Sequence, residues 1–486
     1  MDQVYLFSTV LFAVDTVVRL GLSLRIIMRR RPIGVTFAWL AIVLSLPFVG
    51  AICYLTFGEL RLGNRRAEWA SVIHQPFEEW VASVAQRHPN INWTTRGVAC
   101  ESLARLSHAV FGVPALPGNR LELLPNWETV FERLIADIDS ARRTCHLEFY
   151  IWSQGGLADE VVDAIGRAAR RGVICRILLD DVGSRPFLKS EQARALRDAG
   201  VHLHAALPVG FLRMLFYRVD LRLHRKIVVV DGEVAYTGSL NLVDPRFFKQ
   251  DAGVGEWVDA MVRVEGPAVE ALGVTFLEDW ELETSEGIDQ LRQTGDIHEL
   301  PEVGSAAVQT IPSGPVFESK AVQDVLLMTI YGARQELVLT SPYFVPDEVL
   351  VAALCTAARR GVDVTVVVPA EVDSFLVRYA SQAYKGDLLD AGVKVALFDG
   401  GLLHTKSVTV DGEYSLFGSL NLDQRSLHLN FEITLAVYDR FFTKELRDLQ
   451  FSYIAESTWM DIKEWQNRPA HVRLKEHVMR LVSPLL

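Results

Sequence analysis

Cysteine is scarce in this chain, with five among 486 residues. The cysteines are far apart, odd in number and never spaced as Cys-x-x-Cys, at Cys53, Cys100, Cys145, Cys175 and Cys355. A disulfide framework needs paired cysteines, and a zinc site needs closely spaced ones. We therefore expect free thiols, mostly buried, and neither a disulfide framework nor a zinc site.

The sequence also lacks an excess of positive charge. It has 49 Lys and Arg against 60 Asp and Glu, a formal net charge of −11. A general nucleic-acid binder is usually basic, so the composition argues against nucleic acid as a partner. Residues 1–66 nevertheless carry eight Arg against three acidic residues. A basic, apolar N-terminus on an acidic body predicts attachment to a membrane.

The signals of a cleavable signal peptide are scarce as well, because the apolar run begins near Met1 without a preceding basic stretch, so the sequence favours a retained segment over a cleaved one. Residues 4–24 and 33–57 are almost entirely apolar, and each could cross a hydrocarbon core of ~30 Å. They predict a transmembrane hairpin of two helices within residues 1–58. The charges flanking it do not assign a membrane side to the rest of the chain.

Two charged residues, Asp15 and Arg19, interrupt the first apolar segment. They are four residues apart, so on a helix they share a face and can neutralise one another. The alternative is that this segment lies in the membrane interface instead of spanning the bilayer.

The most informative feature that is present is a duplicated motif, His-x-Lys-x-x-x-x-Asp, with each copy followed by Gly-Ser-Leu-Asn-Leu. Its residues are His224, Lys226 and Asp231 in the first copy, and His404, Lys406 and Asp411 in the second. One such match has low specificity. A second copy in the same frame, with the same tail, predicts a single site built from two similar halves.

The duplication extends over most of the chain. Ala-Ala-Arg-Arg-Gly-Val at residue 168 recurs at residue 357, and Asp-Ala-Gly-Val at residue 198 recurs at residue 390. Strand and helix patterns alternate within each copy, which predicts two tandem α/β lobes. The predicted segments are a membrane hairpin (1–58), a helical connector (59–119), a first lobe (120–285), a linker (286–312) and a second lobe (313–486).

The first copy holds about twelve extra residues shortly before His224, within 205–220. They mix apolar side chains, including Phe211 and Leu215, with arginine. Two interpretations fit this insert equally well, a lipid-contacting segment and an extra core helix.

The motif residues suit an attack on a phosphodiester, whose negative charge must be offset and whose leaving oxygen must be protonated. One imidazole attacks phosphorus and forms a phosphohistidine, and the other donates a proton and then activates an incoming alcohol. Lys226 and Lys406 are expected to hold the non-bridging oxygens. The expected hydrogen-bond donors to substrate are Asn241 and Asn421, helped by Ser239 and Ser419. This chemistry needs no metal or other cofactor.

Each imidazole also needs an acceptor that orients its second nitrogen. Asp259 and Glu432 are the candidates, because each lies on an aligned strand after the motif. A solvated strand residue is the alternative for both of them. Asp231 and Asp411 complete the candidate catalytic set, and we expect them to fix the Asp-Gly turns that they open.

With these motifs the chain resembles the phospholipase D superfamily, and more narrowly the bacterial cardiolipin synthases. The resemblance includes Leu-Glu-Phe-Tyr-Ile-Trp at 147–152, Pro-Ser-Gly-Pro at 312–315, Ser-Pro-Tyr-Phe-Val-Pro at 341–346 and Asn-Leu-Asp-Gln-Arg-Ser at 421–426. It implies that one phosphatidylglycerol receives the phosphatidyl group of another, giving cardiolipin and glycerol, in a multi-pass protein of the bacterial inner membrane. It also implies that His224 is the nucleophile and His404 the acid and base, although the motif alone permits the reverse.

The sequence leaves three alternative functions. A membrane-bound phospholipase D would hydrolyse phospholipid to phosphatidic acid through the same intermediate. A nucleic-acid phosphodiesterase is disfavoured by the acidic body and the apolar N-terminus. A non-catalytic scaffold is disfavoured by the two complete motifs.

Overall fold

A computed structural model describes residues 2–29, 33–59, 75, 79–88, 91–210, 218, 220–284, 286–287, 290–291, 294, 297–317, 320–469 and 471–472. The chain divides into a smaller unit, Met1–Glu68 with Val209–Leu221, and a larger unit, Trp69–Pro208 with Arg222–Leu486. Phe211 and Leu215, on which the lipid-contact interpretation of the insert depends, lie outside the described residues.

The smaller unit is helical. Its helices are Asp2–Met28 (α1), Ile33–Ser45 (α2) and Val49–Cys53 (α3), followed by a π-helical turn, Tyr54–Gly58. The predicted second span, 33–57, is therefore interrupted. Pro47 has no backbone N–H, and Phe48 takes a φ of 53°, outside the right-handed helical region. None of the helices in the described part of the chain has the length and apolar character to cross a bilayer, so the predicted transmembrane pair is not found there.

The two charges within α1 bind the backbone at this interruption. Asp15 Oδ2 lies 2.5 Å from Arg19 Nη2, as their spacing suggested. Asp15 also accepts a hydrogen bond from Phe48 N (3.0 Å), and Arg19 donates one to Leu44 O (2.6 Å). Backbone groups freed at a helix end need partners when they are shielded from water. The ion pair supplies them on both sides of the break.

The larger unit is an α/β body. Its strands are Leu116–Leu124 (β1), Thr144–Phe149 (β2), Ile174–Asp180 (β3), His202–Ala206 (β4), Ile227–Val230 (β5), Val234–Gly238 (β6), Trp257–Val258 (β7), Met261–Glu265 (β8), Ala306–Ser313 (β9), Glu336–Thr340 (β10), Phe344–Val345 (β11), Asp363–Pro369 (β12), Lys394–Phe398 (β13), Leu402–Leu403 (β14), Ser407–Val410 (β15), Tyr414–Gly418 (β16), Leu422–Asp423 (β17), Glu432–Tyr438 (β18) and Ser457–Trp459 (β19). Its α-helices are Val98–Phe111 (α4), Trp127–Ser140 (α5), Leu157–Arg170 (α6), Arg185–Leu188 (α7), Glu191–Asp198 (α8), Ala268–Thr284 (α9), Ala321–Gly332 (α10), Glu348–Arg359 (α11), Phe375–Asp390 (α12), Gln424–His428 (α13), Arg440–Ala455 (α14) and Ile462–Gln466 (α15).

The strand order exposes the duplication. Across the described residues one sheet runs β19-β13-β12-β10-β15-β16-β18-β9-β1-β8-β6-β5-β2-β3-β4. From the β9–β1 seam outward, corresponding strands follow in the same order in each half, so β5 corresponds to β15 and β8 to β18, and β19 is an additional strand at the outer edge of the second half. The seam itself is antiparallel, with Leu116 opposite Val308. The predicted tandem α/β lobes are thus joined edge to edge, and strand β9 begins inside the segment predicted as a linker.

Helices cover the sheet because their apolar residues recur at helical spacing. In α6 the buried residues include Val161, Ile165 and Ala168, which pack on the first lobe's sheet. The glycines after α6 and α11, Gly172 and Gly361, have φ values of 90° and 93°. Only glycine adopts such values readily, which explains the repeated Arg-Arg-Gly at the end of both helices.

Candidate active site

The two histidines lie immediately before corresponding strands of the two lobes, β5 and β15. Each strand is entirely buried. The carboxylate of Asp231, at the far end of β5, accepts hydrogen bonds from the backbone of residues 142–144 at 2.7 to 3.1 Å. Asp411 does the same for residues 334–336. Five residues of extended chain, about 16 Å, separate each aspartate from its motif lysine. The aspartates therefore lie away from the lysines and stabilise the turns at the far ends of the strands.

Each motif histidine is held by a carboxylate from the opposite lobe. His224 Nδ1 lies 2.8 Å from Glu432 Oε2, and His404 Nδ1 lies 2.6 Å from Asp259 Oδ1. A carboxylate can only accept, so Nδ1 carries the proton in both rings and Nε2 has a free lone pair. The backbone of each histidine also bonds to the opposite lobe: His224 N donates to Phe431 O (2.9 Å), and His404 N donates to Val258 O (2.8 Å).

The two motif serines hold these carboxylates. Ser239 Oγ donates to Asp259 Oδ1, and Ser419 Oγ donates to Glu432 Oε2, both at 2.6 Å. A hydroxyl has a single proton, so neither serine has one left for a phosphate oxygen in this arrangement. The structure therefore places Ser239 and Ser419 behind the histidines, whereas the sequence suggested direct contact with substrate.

The two asparagines have unsatisfied amide atoms in the site. Asn241 Oδ1 accepts a hydrogen bond from Ile151 N (3.2 Å), while its buried Nδ2 has no partner among the described residues. Asn421 Oδ1 is likewise buried and, within the same part of the chain, unpartnered. Burying an amide group without a hydrogen bond costs about 1 to 3 kcal/mol. Asn241 Nδ2 is thus a donor available to an anionic oxygen.

Both motif lysines are buried, and each donates to the carbonyl of its own histidine. Lys226 Nζ lies 2.7 Å from His224 O, and Lys406 Nζ lies 2.5 Å from His404 O. An ammonium has three protons, so two remain for substrate. Burial lowers the pKa of Lys226 to about 8, although Glu432 and Asp259 oppose the shift. Burial also lowers the pKa of Lys406 well below its usual value.

Burial lowers the pKa of both His224 and His404 to about 4. The lysines of both motifs add to this effect on each ring, whereas the carboxylate partners oppose it. Since each imidazole responds to both lysines, the four groups form one electrostatic site. Burial raises the pKa of Glu432, but His224 and Lys226 outweigh it, so the pKa ends below its usual value and the carboxylate stays ionised.

Two aromatic side chains beside the histidines were not singled out by the sequence motifs. The ring centroid of Trp257 lies 4.3 Å from that of His404, and that of Tyr150 lies 5.0 Å from that of His224. Trp257 precedes Asp259 by two residues in the segment that was predicted to carry the acceptor. Its position there could have identified it from the sequence. Within the described residues, no group of three His, Cys, Asp or Glu side chains is arranged to hold a metal ion.

Comparisons with known proteins identify the family. A family model described as cardiolipin synthase, phospholipase D-like domain, matches residues 134–280 and 326–453, one segment in each lobe. Cardiolipin synthase A of Yersinia pseudotuberculosis is 46% identical over 466 residues, which are 96% of this chain and 96% of the relative. The chain belongs to the phospholipase D-like cardiolipin synthase family. The resemblance inferred from the motifs is confirmed.

Further matches agree with this family. Cardiolipin synthase A of Yersinia pestis is also 46% identical, again over 96% of each chain. A second family model, phospholipase D-nuclease N-terminal, matches residues 20–59. The crystal structure of a phosphatidylserine synthase from Haemophilus influenzae aligns with a TM-score of 0.59 and 17% identity, covering 80% of this chain and 100% of that one. At this identity the likeness supports the fold alone.

Proposed function

We propose that this protein is a cardiolipin synthase, a phosphatidyltransferase that joins two phosphatidylglycerol molecules and releases glycerol. The observation that carries the proposal is the crossed pair of histidine–carboxylate contacts, with two buried lysines, in a chain 46% identical to cardiolipin synthases over nearly its whole length. The site contains a nucleophile, a proton donor and cations for one phosphodiester.

In the first step His224 Nε2 attacks the donor's phosphorus atom. The bond from phosphorus to the glycerol oxygen breaks, and His404 gives its proton to that oxygen. Lys226, Lys406 and Asn241 hold the non-bridging oxygens, where charge accumulates. The bound anion offsets the lysine charges that lower the pKa of His404, and so favours the protonated ring that this step needs.

In the second step a terminal hydroxyl of another phosphatidylglycerol gives its proton to His404. Its oxygen attacks phosphorus, the bond to His224 breaks, and the nucleophile returns to its neutral form. Glu432 and Asp259 keep the two rings oriented throughout and stabilise their charged forms. The acceptor is an alcohol, and a site with little water favours it over hydrolysis.

We also propose that the smaller unit attaches the enzyme to the cytoplasmic membrane of a bacterium. Its helices α1 and α2 expose large apolar side chains, among them Phe7, Phe12 and Phe37, each about 70% exposed. Such a surface is unfavourable in water and suited to lipid. Tethering at the bilayer keeps the site close to a substrate that resides there.

Product analysis of the purified protein in phosphatidylglycerol vesicles tests the function. We expect cardiolipin and glycerol in equal amounts from the wild type and neither from His224→Ala. Phosphatidic acid as the dominant product would instead support the hydrolytic alternative, because water would then be the acceptor.

A further inference from the structure

A buried carboxylate outside the two motifs lies in the second lobe, in the loop after β12. Asp373 Oδ1 accepts a hydrogen bond from the Tyr343 hydroxyl (2.7 Å), and Oδ2 accepts one from Lys249 Nζ (2.8 Å). The Asp373 side chain is only 6% exposed. A carboxylate offers about four acceptor sites, so two bonds leave capacity for a further donor.

This cluster lies on the His404 side of the site. Lys249 Nζ is 5.4 Å from the centroid of the Trp257 ring, which in turn lies 4.3 Å from the His404 ring. Burial raises the pKa of Asp373, but its bonds to Lys249 and Tyr343 and the charge of His404 outweigh this effect and lower it. The carboxylate is therefore ionised and within electrostatic reach of the histidine.

The reaction places glycerol groups on the same side. In an in-line displacement the leaving oxygen departs opposite the attacking His224, toward the acid that protonates it. The incoming alcohol must later approach His404 by the same route. Both groups are glycerol units, and both carry a hydroxyl on the carbon next to the reacting one.

We propose that Asp373, supported by Tyr343, is the specificity-determining residue that accepts a hydrogen bond from this neighbouring hydroxyl in both the leaving and the incoming headgroup. The inference rests on the proposed function and on the assignment of His404 as acid and base. A glycerol headgroup is thereby distinguished from one that lacks the adjacent hydroxyl.

The two lobes differ at this position, as a one-sided recognition site requires. Asp373 stands four residues after the end of β12, and Ser184 stands four residues after the end of β3. The Ser184 hydroxyl donates to Tyr150 O (2.9 Å) and accepts from Trp152 N (2.9 Å), so it is used within its own lobe. Lys249, whose side chain is 44% exposed, occupies only part of the acceptor capacity of Asp373, so the remaining lone pairs are open to a substrate hydroxyl.

The test compares two lipids in mixed micelles, phosphatidylglycerol and phosphatidyl-1,3-propanediol, which has the terminal hydroxyl but not its neighbour. We expect the wild type to turn over phosphatidylglycerol about tenfold faster, the worth of one good hydrogen bond. In Asp373→Ala the turnover of phosphatidylglycerol should fall toward that of the analogue. Asp373→Asn, which keeps one acceptor oxygen and nearly the same shape, should retain part of the preference.

The matched control is Asp363→Ala. Asp363 forms an ion pair of the same length with Lys394 (2.8 Å) at the opposite end of β12, and its loss should leave the preference unchanged. Equal loss of turnover on both lipids in Asp373→Asn and Asp373→Ala would overturn the inference, as would a wild type without preference. A wild type that makes no cardiolipin at all would refute the proposed function instead.

Discussion

The two lobes share a fold and a motif, yet the residue after each motif histidine contacts the other lobe in a different way. We call each of these contacts a junction. In the first lobe Arg225 is buried, pairs with Asp279 and donates to Glu432 O (3.1 Å) across the seam. In the second lobe the corresponding Thr405 donates to Val258 O (3.3 Å), and its hydroxyl lies 3.2 Å from that of Tyr453. One junction is a buried ion pair, and the other is neutral.

The comparison separates the motif positions that are identical in the two lobes from the one that differs. Histidine, lysine, serine and asparagine occupy equivalent positions in both lobes, which agrees with our proposal that they act on one phosphorus atom or orient the groups that do. The residue between histidine and lysine instead contacts a backbone carbonyl of the other lobe, and it is Arg in one lobe and Thr in the other. Arg225 still matters, because it binds the backbone of the residue whose carboxylate holds the proposed nucleophile.

The largest expected effect separates the two histidines. His224→Ala should abolish turnover, whereas His404→Ala should still form the phosphohistidine when the donor carries a leaving group such as p-nitrophenol, which needs no proton. The loss of general acid catalysis costs about 10²- to 10⁴-fold with the natural donor. Release of nitrophenolate and detection of a labelled, acid-labile phosphoenzyme measure this difference. If instead His224→Ala forms the phosphoenzyme and His404→Ala does not, the roles are reversed.

The carboxylates should follow the histidines that they contact. Glu432→Gln should slow the nucleophilic step about 10²-fold or more even with the activated donor, because the amide no longer stabilises the correct tautomer and the charged ring of His224. Asp259→Asn should be rescued by the activated donor, since it acts on the acid. Equal rescue of both variants would contradict the crossed assignment.

Removing the charge from the first junction should chiefly affect stability. Arg225→Thr copies the residue of the second lobe but leaves Asp279 buried without its partner, which should cost about 3 to 5 kcal/mol of unfolding free energy. Thr405→Ala is the matched change in the other lobe, and it should cost about 1 kcal/mol. Denaturant unfolding in detergent compares the two variants. Similar losses of unfolding free energy would show that the difference between the junctions does not affect stability.

The smallest effect concerns pH. The pKa of Lys226 is lowered to about 8 by burial, so its ammonium loses the proton as pH rises through that value. With the activated donor, which needs no proton from His404, kcat/KM reports the remaining groups of the free enzyme and should therefore fall about tenfold per pH unit above pH 8. A profile that stays level to pH 10 would show that the lysine keeps its charge in the empty site.

Much of the fold was predictable because it depends on local patterns. Two of the alternating strands, Ile227–Val230 and Ser407–Val410, lie within the motifs themselves. The repeated Arg-Arg-Gly lies at the ends of α6 and α11, which are equivalent places in the two lobes. The α/β alternation predicted two lobes of the correct kind.

Other features depend on contacts between distant segments, and these were missed. The register of β1 on β9 determines how the lobes meet, and no local sequence pattern predicts that register. Spacing identified Asp259 and Glu432 as candidates but could not tell which histidine each one contacts. Likewise, the backbone groups freed by the break near Phe48 are bound by Asp15 and Arg19, which lie far from it in the sequence.

The crossed contacts have a consequence for biosynthesis. A nascent chain can complete its first lobe and display His224 long before the codon for Glu432 is translated. Until the second lobe emerges from the ribosome and docks, the imidazole lacks the group that orients it. A half-made enzyme therefore lacks the oriented pair of histidines that the proposed reaction requires.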